Sequence, residues 1–368
     1  MTIAISAQNF FTKQPTGVEL YTREIVKGLS ETCGAEDKII VYVKNLPKDR
    51  QDEATEFLHL QKVSFKELKF KKFFNLIGVA NAISKDRPDI LFCPESVVPL
   101  WSFCKIIFVV HGIELKTFPK AYSFLSRAWL ELSTRFSIKR SVAILAPSQA
   151  TKNDLIKYYK VNPEKIFVVQ HGPMINFKHT EFIFGGKNLK QILFLGRIEK
   201  RKNLEILIEA FEKIYTKFPD TSLIFAGKNG FGAEEILAKI KKSPAKDRIF
   251  LEGYVDENKK RGLLLRSGIL VFPSGAEGFG FPVLEGQASQ CAVICSDLEV
   301  LKEVAGDGAL FFKRNNSDDL AQKLLDIMMD NEARSRLVSN GAKNLERFSW
   351  KEGAQKNYDI MKNINGKD

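Results

Sequence analysis

Two short segments of this chain carry residue types and spacings that could hold an anionic, hydroxylated ligand. The first is Leu195-Gly196-Arg197-Ile198-Glu199-Lys200-Arg201-Lys202-Asn203. Gly196 permits a tight turn, and cations at a helix start oppose the helix dipole. A compensating anion such as a diphosphate would relieve that opposition; cations that are simply solvated are the alternative. The second segment is Pro273-Ser274-Gly275-Ala276-Glu277-Gly278-Phe279-Gly280-Phe281-Pro282-Val283-Leu284-Glu285-Gly286. Its glycines let backbone amides approach a ligand closely, and Pro282 suits a first helical turn. On one continuous helix Glu277 and Glu285 would differ by about 80° in azimuth. They can face one ligand only if Glu277 sits on a loop and Glu285 on a helix. Two carboxylates so placed could accept hydrogen bonds from sugar hydroxyls.

Both segments follow short apolar runs and precede helical patterns. In the second half, strands are expected at 191–195, 222–226, 248–251, 269–272, 292–295 and 309–312. Helical stretches are expected between them at 203–218, 233–242, 257–266, 281–289, 298–304 and 317–328. Near-continuous apolar runs are what strands covered on both faces require, and the βαβ alternation implies a parallel, doubly wound sheet. The first half repeats the theme, with strands at 3–6, 38–43, 90–92, 106–110 and 143–146 and helices at 18–30, 73–85, 122–140 and 149–159. Expected boundaries are a first domain at 1–175, a linker at 176–188, a second domain at 189–350, and a final helix at 351–368 returning toward the first domain. His171, before Gly172, is assigned to the interdomain hinge.

Composition narrows the classes. The chain has 368 residues, 44% hydrophobic and 27% charged, enough for about two globular domains and unlike collagen-like or disordered chains. No window reaches the roughly 18 apolar residues of a spanning helix, and MTIAISAQNFFTKQ has no signal-peptide form. Five dispersed Cys without a C-x-x-C argue against a disulfide framework or zinc site and fit a cytoplasmic protein. Charge is the anomaly: residues 1–180 hold 26 basic and 17 acidic side chains, a net of +9, whereas the remainder holds 30 and 27, a net of +3.

Taken together, G-R-I-E-K-R-K-N, F-P-S-x-x-E-G-F-G-F-P-x-L-E and S-D-L-x-x-L-K-E-V-A-G-D-G-A-L resemble the nucleotide-sugar domain of GT-B glycosyltransferases. The retaining family 4 is most similar, with its E-x7-E pattern matched by Glu277 and Glu285. The likeness extends to Thr16-Gly17 with the helix after it, Val110-His111-Gly112, and Ala146-Pro147-Ser148. It therefore covers essentially the whole chain and implies two Rossmann-like doubly wound domains facing a central cleft.

The resemblance also implies roles. Arg197 and Lys202 would grip the diphosphate and neutralise the leaving group, Glu285 would bond the ribose, and Glu277 the donor hexose. Backbone at Gly278, Phe279, Gly280 and Phe281 would support the sugar or phosphate, and Gly253, Tyr254 and Val255 would pass near the base. His111 would lie near the reacting carbon, and Gly17 beside the donor. Where relatives have Asp after the His, this chain has Gly112, with Glu114 two residues on. No Asp-x-Asp occurs, so fixed cations rather than a metal are expected to carry the leaving-group charge, and no cofactor is expected beyond the nucleotide-sugar substrate.

The implied reaction moves a hexosyl unit from a UDP- or GDP-sugar, with a lean to GDP-mannose, to a saccharide acceptor in bacterial surface polysaccharide synthesis. The basic first half suggests that this acceptor is lipid-linked. Ser64–Ser84 and Phe124–Arg140 mix Lys and Arg with Phe and Trp, a composition that can sit on anionic headgroups; core aromatics with solvated cations are the alternative. A GT-B nucleotide-sugar 2-epimerase would need acid/base carboxylates and a His set that are not found. A dinucleotide oxidoreductase lacks its glycine fingerprint. A nucleic-acid binder would leave the phosphate-site residues idle, and no nucleic-acid partner is expected.

Overall fold

The computed structural model describes residues 1–47, 53–70, 72–94, 97–119, 122–175, 177 and 188–366. Nearly all of the expected 176–188 linker, and Lys71 of the basic stretch, lie outside the described residues. The chain divides into two compact units: Met1–Ile113, Leu125–Gly172 and Ser349–Asp368 form one, and Glu114–Phe124 with Pro173–Phe348 form the other.

The first unit is built on β1 (Thr2–Ser6), β2 (Lys38–Val43), β3 (Val63–Glu67), β4 (Ile90–Cys93), β5 (Lys105–Val109), β6 (Ala143–Ala146) and β7 (Ile166–Val168). They form a parallel sheet in the order β3-β2-β1-β4-β5-β6-β7. β4 and β6 are buried at every residue, because helices cover both faces of such a sheet. The helices of this half of the chain are α1 (Gly17–Thr32), α2 (Val79–Asp86), α3 (Glu114–Thr117, in the second unit), α4 (Phe124–Arg140) and α5 (Gln149–Tyr159). Side chains satisfy backbone donors at the starts of two of these helices. Thr16 N–H donates to Glu19 Oε2 (2.8 Å) at the start of α1, and Ser148 Oγ accepts from Thr151 N (3.1 Å) at the start of α5.

The second unit carries β8 (Asn188–Leu195), β9 (Ser222–Ala226), β10 (Ile249–Gly253), β11 (Ser267–Phe272), β12 (Ala292–Ser296) and β13 (Leu310–Phe312). Its parallel order is β10-β9-β8-β11-β12-β13, the doubly wound Rossmann arrangement. Its helices are α6 (Leu204–Ile214), α7 (Ala233–Lys242), α8 (Glu257–Arg266), α9 (Phe281–Ala288), α10 (Glu299–Ala305), α11 (Ser317–Met329) and α12 (Asn331–Leu345). Strand order reverses between β8 and β11, the topological switch point where folds of this kind bind ligands outside the carboxyl ends of the strands. Both chemistry-bearing segments leave from those two strands.

The last helix, α13 (Trp350–Asn365), belongs to the first unit and packs on α1. A Cβ on Gly28 would stand 2.5 Å from that of Ala354, so glycine sets the approach of these helices. Tyr358 OH donates to Asp37 Oδ2 (2.5 Å), pinning the other end of the contact.

Four elements escape the sequence patterns, the four-residue α3 among them. β3 is an edge strand with mostly exposed side chains, so its alternation is weak. β7 has only three residues. α12 buries Leu337 but is otherwise largely polar, and its start is set by Asp330 Oδ1 accepting from Glu332 N and Ala333 N.

Candidate active site

At the carboxyl edge of the second unit, three glycines end three neighbouring strands. Gly196 after β8, Gly227 after β9 and Gly253 at the end of β10 have φ of 140°, 155° and 64°. Gly196 N donates to Ala226 O (3.0 Å), and Gly227 N to Gly253 O (2.7 Å). A Cβ on Gly227 would lie 1.9 Å from Gly196 O. Backbone therefore crosses backbone at this edge, and only glycine allows it. Gly227 was not among the expected site residues, although it follows the run SLIFA just as Gly196 follows QILFL.

After β8 the chain makes a tight turn at Lys200–Lys202 and then enters α6. Arg197 is exposed. Lys202 is buried, its ammonium 4.8 Å from the Phe272 ring centroid and paired with Glu277 Oε1. Glu277 lies on the loop after β11, and Glu285 lies within α9. This is the division that lets both carboxylates face one ligand. Gly280, with φ of 104°, caps α9, and Pro282 occupies its first turn.

Arg201, given no separate role by its sequence position, ties the loop together. Its guanidinium donates to Ala276 O (2.8 Å) and pairs with Glu277 Oε2 (3.2 Å), Glu199 Oε1 (2.8 Å) and Glu114 Oε1 (3.5 Å). Its own carbonyl accepts from Gly275 N (2.8 Å). Ser274 Oγ donates to Glu277 Oε1 (2.5 Å), and Ser296 Oγ donates to Ser274 O (2.6 Å). Burial alone would raise the Glu277 pKa, but Lys202 and Arg201 overcome it and hold the carboxyl at about 2. Burial and adjacent Arg201 pull the Lys202 pKa down, with Glu277 acting against them. Burial likewise works against the charge of Arg201, yet Glu277, Glu114 and Glu199 together raise its pKa.

A depressed carboxyl pKa contributes stability that is complete above the unfolded value, about 4.5, and is lost as pH falls toward about 2. Urea unfolding at pH 7 and pH 3 should therefore show a larger acid loss in the parent than in Glu277→Gln. Equal losses would refute the assignment.

Glu285 is buried and accepts from Lys260 Nζ on α8 (2.7 Å). Lys260 is a partner that sequence spacing did not point to. Tyr254, next to Gly253, has the Lys228 ammonium 4.7 Å from its ring centroid, and Val255 is half-buried just before α8. Phe279 and Phe281 pack edge to face with centroids 5.2 Å apart, and Gly278 precedes them on the same loop.

In the first unit, His111 follows β5, and Gly17 is exposed as the first residue of α1. His111 Nε2 lies 2.7 Å from the Pro94 carbonyl. A carbonyl only accepts, so Nε2 carries the proton and Nδ1 is the acceptor of the neutral ring. Burial pulls the His111 pKa below its usual value, so the ring is neutral at pH 7. His171, expected at a hinge, is packed inside this unit. It stacks on Trp350 (centroids 5.7 Å apart, 8° between planes) and lies 4.5 Å from the Tyr21 ring. Glu114, noted in place of the relatives' Asp, belongs instead to the Arg201 cluster of the second unit.

Two family models match consecutive parts of the chain: Glycosyltransferase Family 4 over residues 15–173, and Glycosyl transferases group 1 over residues 178–344. The chain belongs to the group 1 glycosyltransferases of family 4. This glycosyltransferase is 23% identical over 256 residues to an O-antigen chain mannosyltransferase B of Escherichia coli, covering 65% of each chain. It is 30% identical over 165 residues to a phosphatidyl-myo-inositol mannosyltransferase of Mycolicibacterium smegmatis, covering 44% of this chain and 42% of the other. The match thus spans less than two thirds of either relative's length. Among solved structures, Anabaena Alr3699/HepE in complex with UDP and glucose has a TM-score of 0.76 at 16% identity, covering 99% of this chain and 100% of that one. The glycosyltransferase thus has the GT-B fold, with two Rossmann-like parallel-sheet units.

Proposed function

We propose that this glycosyltransferase moves a hexosyl unit, with retention of configuration, from a nucleoside diphosphate sugar to a saccharide acceptor. The donor is a UDP- or GDP-sugar, with GDP-mannose favoured, and the acceptor is lipid-linked in surface polysaccharide synthesis such as O-antigen or capsule. The observation that carries this reading is the convergence of the 196–203 and 273–286 segments at the carboxyl ends of β8 and β11, at the switch point. The mannosyltransferase relatives support the donor and pathway.

Breaking a glycosyl–phosphate bond develops positive charge on the sugar and negative charge on the departing diphosphate. Preorganised cations lower that barrier without reorganising at the moment of reaction. In this reading Lys202 and exposed Arg197 meet the diphosphate. Glu277, kept ionised by its cations, orients a donor hydroxyl, and Glu285 holds the ribose. The loop backbone from Gly278 to Phe281 supports the sugar or phosphate. Gly253, Tyr254 and Val255 flank the base, and Gly17 leaves room beside the donor. His111 offers Nδ1 as an acceptor to the sugar. The leaving phosphate itself takes the acceptor's proton, so no side chain serves as a dedicated base.

Calorimetric titration with UDP and GDP tests the donor site. Glu285→Gln, which keeps the shape and removes the charge-assisted acceptor, should weaken the bound nucleoside diphosphate by about tenfold. Unchanged affinity, or no binding of either nucleotide to the parent, would overturn the reading.

A further inference from the structure

α4 is unusual among the helices of this fold. Residues 124–129 are all exposed, and Phe124 (76%), Leu125 (79%), Trp129 (52%) and Leu132 (65%) present large apolar side chains to solvent. Leu125, Trp129 and Leu132, four and three residues apart, form one stripe within about 60° of azimuth. The helix carries Arg127, Arg135, Lys139 and Arg140 against a single acid, Glu131. That acid is engaged by Arg135 Nε (2.7 Å) and Tyr159 OH (2.9 Å).

The stripe has neighbours. Val98 N–H donates to Ser137 Oγ of α4 (3.3 Å), and two residues on Leu100 N–H donates to Leu76 O (3.0 Å). The loop between them therefore joins α4 to the turn before α2, and both bear exposed apolar groups: Leu100, Trp101 and Phe103 on the loop, Phe70 and Phe73 on the turn, with exposed Lys69 and Lys72 beside them. The structure also sorts the aromatics of the two basic stretches. Phe65 packs against Phe10 and Phe11 with centroids 5.1 Å from each, and Phe74 is core. Phe136 leans on the core as well. The remaining aromatics face outward among cations.

We propose that the first unit docks on the surface of an anionic lipid bilayer through the exposed stripe of α4 and the adjoining Leu100, Trp101, Phe103, Phe70 and Phe73. Apolar side chains ringed by Lys and Arg match a headgroup boundary, where the rings enter and the cations meet lipid phosphates. Among the described residues no helix is long and apolar enough to cross a membrane, so the contact is interfacial. A second copy is the poorer occupant, because its own residues 1–180 carry the same net +9 and two such faces repel.

The test is flotation of the full chain with vesicles of phosphatidylglycerol and phosphatidylcholine in equal parts, against phosphatidylcholine alone. It needs neither donor nor acceptor, so it stands or falls apart from the transfer reaction. The parent should float with the anionic vesicles only. Leu125→Ser/Trp129→Ser and Arg127→Glu/Lys139→Glu should each cut binding about tenfold or more, with circular dichroism unchanged. Lys241→Glu/Lys242→Glu, an equal charge change on exposed positions of α7, should float like the parent. The proposal is overturned if the parent fails to float or ignores lipid charge, if the α4 variants bind normally, or if the α7 control loses as much. A concentration-dependent dimer that dissociates in Leu125→Ser/Trp129→Ser, without flotation of the parent, would assign the stripe to a second copy and also overturn it.

Discussion

Lys202→Met is expected to lower kcat by about 10²–10³-fold while the protein stays folded. Methionine nearly fills the space of the lysine stem over Phe272, so the packing survives and the fixed charge goes. Glu277 keeps Arg201 and Ser274 as partners after the change, so no carboxylate is left buried alone. Glu277→Gln is harsher. It leaves Lys202 and Arg201 buried side by side with one counter-charge fewer, and breaking such a pair costs about 3–5 kcal/mol. It should therefore lose both turnover and stability. The double variant Lys202→Met/Glu277→Gln should be more stable than the sum of the singles by about 1–3 kcal/mol. Measuring kcat with the donor that calorimetry identifies, and unfolding free energies for all four proteins, separates chemistry from folding. Near-parental turnover in Lys202→Met would remove the lysine from the reaction.

Gly227→Ala should be the most damaging single methyl in the second unit. The position needs φ of 155°, and the added Cβ would stand 1.9 Å from the carbonyl oxygen of Gly196. Backbone cannot yield as a flexible side-chain tip can. β8 and β9 must separate at their carboxyl ends, and Gly196 and Arg197 move with them. We expect a loss of about 3 kcal/mol or more and, in whatever protein remains folded, weaker nucleoside diphosphate binding. Thermal unfolding with and without UDP or GDP reads both effects. Gly262→Ala is the control: it is a helical glycine whose Cβ would meet nothing closer than 3.9 Å, so it should be neutral or slightly stabilising. If Gly227→Ala unfolds like the parent, the three-glycine edge does not constrain the fold.

Local pattern was enough for most of the architecture. Strands covered on both faces must be nearly continuous in apolar residues, so QILFL, SLIFA and ILVF are legible, as are the helices between them. Alternation of the two element types then dictates parallel sheets. Glycine and proline at strand and helix ends mark turns by their backbone preferences, which is why the boundaries of α9 were readable to a residue or two. Amphipathic or short elements such as β3, β7 and α12 were not, because a weak apolar pattern leaves too little local signal.

What tertiary structure alone decided is who meets whom across long stretches of chain. β9, β10 and β11 lie between Arg201 and Glu277 in sequence, and the two residues meet because β8 and β11 are neighbours. Gly227 becomes indispensable only once β9 lies beside β8. Phe65 and Trp129 look alike in their basic surroundings, yet one is packed and the other exposed, because the sheet edge offers Phe10 and Phe11 to the first and nothing comparable to the second. Strand order and side-chain burial arise from many distant contacts at once, and no short window of residues encodes them.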